Sequence, residues 1–454
     1  MTVGTMIRLE RAALLLTVLA VLFPLKLEGN VWGVALFNVP MTGLLGLWFL
    51  RVVSTRRVGG AVVMWELAPV VLAIWFIVPT TVYSPEGLPK LMIWSSSLVL
   101  ALYARRNYGT VFDFEWVKGC AIVVLAFETF VGAVQIATLS EIGNVQQYFG
   151  TLGETDKPRL IGGAIHRVVG TVGSPNMFGG LIVTLLPFLH LEITRSRGAW
   201  VRRYGLIVLA LCALAMLVIA VSRVNAVVGL AGLGATWLLA AIRSQRGWTQ
   251  RLGRRFGGPP WRAVVTFALV ASTLVIMTPL LEDRFYGYTS AAMRRISGTE
   301  HDLALRLEQY RGAVISIIEQ PVFGVGFANS DTIWSAVGAN VPLDAGYAPH
   351  NVFLIVAVEG GIPALVLFLF FMTTPLGTYL KKRLGRLEQL DTLAVATGGY
   401  LLLCLVYIVP IHHGFWPIVA FLVGVFRAEV VRPRPLAKSL PAATRSRSSL
   451  AATG

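Results

Sequence analysis

Apolar residues in this chain gather into long blocks, and short, mostly basic polar segments separate them. Twelve blocks can be traced, approximately over residues 11–27, 31–50, 61–82, 88–104, 117–139, 175–194, 203–221, 224–242, 263–281, 351–374, 392–410 and 414–431. Each runs to about 17 residues or more, enough for a helix to cross the hydrocarbon core of a bilayer. The pattern predicts an all-α, polytopic integral membrane protein with about twelve transmembrane helices.

Two stretches break the run of short connections: residues 140–174 and the larger 282–350. A long loop in a compact protein is usually functional or disordered, and the larger one is not composed like a disordered segment. Leu303, Leu307, Tyr310, Val314, Ile317 and Ile318 recur on one helical face. Pro321 should stop that helix, and Phe323-Gly324-Val325-Gly326-Phe327 makes a glycine-rich turn after it. The loop is therefore predicted to be a small folded cap whose helices lie on the outer membrane surface. The tail 432–454, rich in Arg, Ser, Pro and Ala, is predicted to be disordered, leaving 1–431 as a single membrane domain.

Composition agrees with the pattern. Of 454 residues 56% are hydrophobic and 14% charged, with a mean hydropathy of +0.70, where a soluble domain carries about a quarter charged residues. If the N-terminus is cytoplasmic, 28 of the 39 Lys and Arg residues fall in inside segments and 11 outside, as the positive-inside rule requires. Both termini are then cytoplasmic. The net charge of +16 reads as a topology signal and an attraction to anionic lipid, not as a nucleic-acid surface. Cys120, Cys212 and Cys404 lie inside apolar runs without metal-type spacing and read as small buried hydrophobes. The first block contains Pro24 and Lys26, and no A-x-A site follows, so it reads as a span and not as a cleaved signal.

The charges that topology leaves unexplained carry the candidate chemistry. Arg223 follows Ser222 in a tight turn at the outer end of the seventh block, against the charge bias. Arg294, Arg295, Arg306 and Arg311 belong to the long loop, and His350-Asn351 stands where that loop re-enters an apolar run. Any one arginine can be an interfacial anchor that snorkels to water. Several on one face, with an imidazole, suit an anionic group, because guanidinium forks grip phosphate oxygens and do not titrate away. A diphosphate at the outer face of a bacterial membrane implies a polyprenyl-diphosphate-linked substrate or a phospholipid. Glu66 and Glu128 lie within spans, where a functional role and a structural hydrogen bond are both open. His412-His413 read as interfacial. No Walker loop, HExxH, GxSxG or CxxC spacing occurs, and the outside carboxylates form no close pair for a divalent metal. Neither metal nor other cofactor is expected.

Four ordered pieces of this sequence resemble the bacterial O-antigen ligase and O-antigen polymerase superfamily. They are Gly170-Thr171-Val172-Gly173-Ser174-Pro175-Asn176; Ser222-Arg223; Leu305-Arg306-Leu307-Glu308-Gln309-Tyr310 through Pro321-Val322-Phe323-Gly324-Val325-Gly326; and His350-Asn351 with Glu359-Gly360-Gly361. They cover residues 165 to about 365. Tyr310 stands where the family often has Trp.

The resemblance implies transfer of a glycan from undecaprenyl diphosphate to an acceptor sugar hydroxyl. It places the reaction at the periplasmic face of the inner membrane and requires neither metal nor nucleotide sugar. His350 fits the base that takes the acceptor proton. Arg223 and Arg306, with Arg311, Arg294 and Arg295 in reserve, fit the groups that stabilise the leaving diphosphate, and Asn351 and Glu359 would support them. A transporter or flippase of lipid-linked oligosaccharides is the alternative, and it should carry charge along a mid-membrane cavity. A scaffold, with His350 only a hydrogen-bond donor near a helix start, is a third reading.

Overall fold

A computed structural model describes residues 2–22, 38–55, 63–138, 160–161, 165–166, 168–172, 175–196, 200–219, 223–250, 299–330, 349, 351–382, 387–405 and 416–432. Among them the chain is almost wholly helical. The helices are α1 Val3–Leu22, α2 Asn38–Thr55, α3 Met64–Tyr83, α4 Leu88–Asn107, α5 Phe114–Thr138 and α6 Pro175–Arg195. Then come α7 Trp200–Ile219, α8 Arg223–Gln250, α9 Thr299–Glu319, α10 Val352–Lys382, α11 Glu388–Cys404 and α12 Trp416–Val431. The exception is a short antiparallel pairing of Leu160–Ile161 with Ile165–His166.

Eleven of the twelve predicted blocks coincide with a helix, and the block 263–281 lies outside the described residues, as does the tail from 433. Six of these helices are long and apolar enough to cross a membrane: α3, α4 with the turn before it, α5, α6, α7 and α10. The others fall short for visible reasons. Helix α1 begins eight residues before its block and takes in Arg8, Glu10 and Arg11, while α11 and α12 have only 17 and 16 residues. The chain is a multi-pass membrane protein, and its core is a helix bundle.

Charged side chains inside this bundle are paired at one end of it. Arg51 at the end of α2 binds Glu10 of α1 at 2.5 Å and also reaches Asn107 at the end of α4. Arg105 and Arg106 of α4 close on Glu66 at the start of α3. Lys118 of α5 meets Glu192 near the end of α6 at 2.5 Å, and Arg202 of α7 meets the same carboxylate at 2.5 Å. Arg195 of α6 joins Glu115 of α5 at 2.8 Å and Glu388 of α11 at 3.0 Å. A buried carboxylate is tolerated when a partner offsets its lost hydration. These contacts tie α1, α2, α3 and α4 together, and α5, α6, α7 and α11 together, through basic residues that the charge rule assigns to the inside. The candidate chemistry lies at the opposite ends.

Helix α9 meets the bundle differently from the sequence expectation. Three residues of its predicted apolar stripe face outward, Leu307 at 58%, Val314 at 47% and Ile318 at 71% exposed, while Ile317 packs inward. Gln309, Gly312, Ala313 and Ser316 are buried instead, and Ala313 packs on Val358 of α10 with Ile317, Val325 and Leu354 around them. Small residues let two helices approach closely, whereas a water-exposed apolar stripe would be unfavourable. The exposed residues Leu307, Val314 and Ile318 are apolar enough to suit contact with lipid.

Candidate functional site

The glycine-rich turn before α6 is held by two side chains of α5. Gln135 donates to the Gly170 carbonyl at 2.9 Å and accepts from the Val169 and Gly170 amides at 3.1 Å. Glu128 accepts from the Thr171 amide at 3.0 Å and from the Thr171 hydroxyl. Gly170 has φ +59°, and a Cβ there would lie 2.3 Å from the Phe178 ring and 2.4 Å from Glu128 Oε2. Of the two roles open to Glu128, the structure shows the structural one.

The same turn is tied to the start of α8. Asn225, two residues beyond Arg223, donates from Nδ2 to the Asn176 carbonyl at 3.0 Å. Gly179 makes room for it, since a Cβ on that residue would sit 2.3 Å from Asn225 Nδ2. Two segments distant in sequence are thus locked at the head of α6 and α8.

Helix α11 brings in the third segment. Val228 of α8 lies on Gly399, and Gly232 on Val395, so α8 and α11 run antiparallel. The first turn of α8, which opens with Arg223, therefore sits beside the last turn of α11. On that same turn Asn351 donates from Nδ2 to the Leu405 carbonyl at 3.2 Å. Asn351 is also the cap of α10: its Oδ1 accepts the amides of Phe353 at 2.9 Å and Leu354 at 3.1 Å, two of the donors a helix start leaves unpaired.

The fourth segment is a joint between the loop and α10. Helix α10 breaks at Gly361, with φ +74° and ψ −178°. The turn after α9 enters the break: Val325 donates to the Val358 carbonyl at 2.9 Å, Gly326 to the Glu359 carbonyl at 3.0 Å, and Ile362 to the Pro321 carbonyl at 2.8 Å. Trp75 of α3 donates to the Gly360 carbonyl at 2.9 Å and stacks on Phe323. The next residues rest on the end of α3, where the Phe327 amide donates to Thr80 Oγ1 at 3.0 Å and Ser84 donates to the Phe327 carbonyl at 2.9 Å.

Of the residues singled out in the sequence, Arg223 opens α8 and Arg306 lies in α9, but both side chains lie outside the described part of the structure. Arg306 stands at the helical register of Gln309 and Ala313, the buried positions three and seven residues on. Arg311 is exposed and lies 3.8 Å from Glu308 of its own helix, away from the face packed on α10. Arg294, Arg295, His350 and the pair His412-His413 fall outside the described residues. Pro349 and Asn351, on either side of His350 in sequence, are described, the first of them buried. Glu359 is buried, and its carbonyl belongs to the joint. Among the described residues no group of His, Cys, Asp and Glu could hold a metal ion.

Sequence reasoning missed Gln135, Asn225 and Trp75. An Asn two places beyond Ser-Arg at a helix start was a readable signal. Gln135 and Trp75 carry none, because each acts on a segment far away in sequence.

The fold and these four tied segments define a multi-pass helical membrane protein whose polar loop is built into the end of its bundle. Residues 207–369, just over a third of the chain, match the family model described as O-antigen ligase. The matched stretch contains Arg223, Arg306, the turn 321–327, His350, Asn351 and Glu359. No curated protein matches the chain. The match supports an O-antigen ligase-like role in polysaccharide biosynthesis and suggests a glycan-transferring membrane enzyme.

Proposed function

We propose that this protein transfers a glycan from undecaprenyl diphosphate to the hydroxyl of an acceptor sugar. The transfer takes place at the periplasmic face of the bacterial inner membrane, with both termini in the cytoplasm, and serves as a ligase or a polymerase of surface polysaccharide. The observation that supports this best is that the first turn of α8, which opens with Arg223, and Asn351 both lie beside the last turn of α11. The helix that opens with Arg223 and the residue that directly follows His350 thus share one end of α11.

His350 accepts the proton of the acceptor hydroxyl as its oxygen attacks the anomeric carbon. The bond from that carbon to the diphosphate oxygen breaks, and undecaprenyl diphosphate leaves with its electron pair. Arg223 and Arg306 offset the charge that grows on the leaving group, an effect strongest where water is excluded. No metal is required, because fixed guanidinium groups supply the positive charge. A direct displacement inverts the anomeric configuration. Arg311, Arg294 and Arg295 act at the periphery of the donor, and Asn351 and Glu359 hold the start and the joint of α10.

The test is His350→Ala in a strain lacking the native copy, with membrane insertion confirmed by immunoblot. Transfer should fall by about two orders of magnitude or more, and near-normal transfer would remove His350 from the mechanism. The polysaccharide gel pattern of the deletion strain separates the two products. Single repeats on the acceptor mark a polymerase, and bare acceptor marks a ligase.

A further inference from the structure

Lys90 stands in the first turn of α4, at the end of that helix opposite Arg105 and Arg106. Two general rules disfavour a cation there. The charge bias puts basic residues at the other end, and the dipole of a helix start repels positive charge. The side chain is half-buried, its ammonium group is not enclosed, and it makes no hydrogen bond or ion pair with any described residue. Glu86, the nearest carboxylate in the sequence, is exposed and makes no ion pair with it.

The surroundings tie this position to the candidate site. The turn Pro85–Gly87 that leads into α4 lies against the loop: a Cβ on Gly87 would sit 2.2 Å from the Phe327 carbonyl, to which Ser84 donates. Trp94, one turn further into the bundle on the same face of α4 as Lys90, is buried. It stacks on Trp416 of α12 at 6.1 Å between ring centres, and Trp416 lies 6.2 Å from Tyr400 of α11. About one turn outward from Tyr400 is Leu405, whose carbonyl accepts from Asn351 Nδ2. Lys90 and Asn351 therefore stand at about the same level, at the two ends of a buried row of three rings.

A lysine at a membrane boundary can be an anchor that snorkels to water along the lipid-facing surface. Lys90 is on the other side of its helix. Its face carries Trp94 into the bundle, whereas Met92 on the opposite face is 61% exposed. An ammonium group there, compact and with its donors free, suits a phosphate oxygen as a point charge.

We infer that Lys90 is a further contact for the diphosphate of the lipid-linked donor, reaching it from the side of α4. The inference rests on the glycan-transfer reading of the site, and it adds α4 to the helices that hold the donor.

The test compares undecaprenyl diphosphate, undecaprenol and phosphatidylglycerol as ligands of the full-length protein in a neutral detergent. Each apparent Kd is read from the rise in Tm with ligand concentration. The unsubstituted protein should bind the diphosphate at least about tenfold more tightly than the alcohol. Lys90→Gln should raise the Kd for the diphosphate about tenfold, the weight of one charge-assisted hydrogen bond, and leave the other two within about twofold. Lys90→Met serves if the glutamine variant fails to fold, and Lys90→Arg, which keeps the charge, should retain tight binding. Lys381→Gln, which removes an exposed charge from the other end of α10, should change none of the three values. An unchanged Kd for the diphosphate in Lys90→Gln overturns the role of Lys90 and leaves the glycan-transfer reading standing. An equal loss for phosphatidylglycerol also overturns it, making Lys90 a general headgroup anchor. If the unsubstituted protein does not prefer the diphosphate to the alcohol, both readings fall.

Discussion

The Gly326 amide donates to the Glu359 carbonyl at 3.0 Å across the break in α10. In an unbroken helix that carbonyl would accept from the residue four places on, but residue 363 is proline and has no N–H. The loop thus supplies a donor that the helix's own sequence withholds. Next to it the Ile362 amide turns to Pro321, and the Val358 carbonyl it leaves behind is taken by Val325. In a membrane, where water cannot replace a missing partner, such an exchange fixes the loop to the helix firmly.

Gly361 makes the joint possible, so it should tolerate no side chain. Its φ of +74° with extended ψ is a region essentially reserved for glycine, and a Cβ there would lie 2.1 Å from the Val322 carbonyl. Gly361→Ala should lower stability by about 2 kcal/mol or more, read by thermal unfolding, and should depress transfer with it. Gly46→Ala is the control. That residue lies in α2 with nothing within 4 Å of its Cβ position, and the change should raise stability by about 0.5–1 kcal/mol. Equal effects of the two would mean that the joint carries no strain.

Two arginines of α9 should separate cleanly in activity. Arg306 shares the register of the residues buried against α10, whereas Arg311 is exposed beside Glu308. Arg306→Lys keeps the charge but loses the planar fork and should reduce transfer at least about tenfold. Arg311→Lys should change it less than about twofold, as exposed ion pairs contribute little. Initial rates in membranes at matched expression decide the matter, and equal losses would reject the register argument.

How much was legible in the sequence depended on the range of each interaction. Helix positions and the stop at Pro321 follow from local patterning, and eleven blocks have their helices. The turn at Gly324 and Gly326 was also legible, because φ values of +65° and +94° favour glycine wherever they occur. The packing face of α9 was not. Periodicity locates an apolar stripe but does not say whether protein or lipid covers it, and here Ala313 and Gln309, not Leu307 and Ile318, meet the bundle. The meaning of Glu359-Gly360-Gly361 was likewise hidden, since its partners come from residues 321–326 and from Trp75. Glu128 had two open roles, and only the placement of Thr171 decides between them.

The two jobs of Asn351 can be separated by one substitution. Asn351→Ala removes both the cap on the Phe353 and Leu354 amides and the donor to Leu405, and should lower stability by about 1 kcal/mol. Asn351→Asp keeps the acceptor, and its charge suits a helix start, but it offers no donor to Leu405. If the tie to α11 positions the adjoining His350, Asn351→Asp should retain stability yet lose transfer. An aspartate variant with full transfer would leave the cap as the sole role of this residue.

A second proline in α10 has its own rescue, and it allows an interaction to be isolated. Pro375 withholds a donor from the Phe371 carbonyl, and Trp65 of α3 supplies one from Nε1 at 2.9 Å while its ring stacks on Phe371 at 5.1 Å. Trp65→Phe retains a stacking ring but leaves the buried carbonyl unmet, at about 1–2 kcal/mol. Pro375→Ala restores the helix's own amide, so in that background Trp65→Phe should lose only its packing contribution. The double-mutant cycle, read by thermal unfolding in detergent, should give a coupling of about 1 kcal/mol. Strictly additive effects would show that the indole stabilises α3 against α10 by area alone. A positive coupling would show that prolines in this helix persist because neighbouring helices donate the hydrogen bonds they remove.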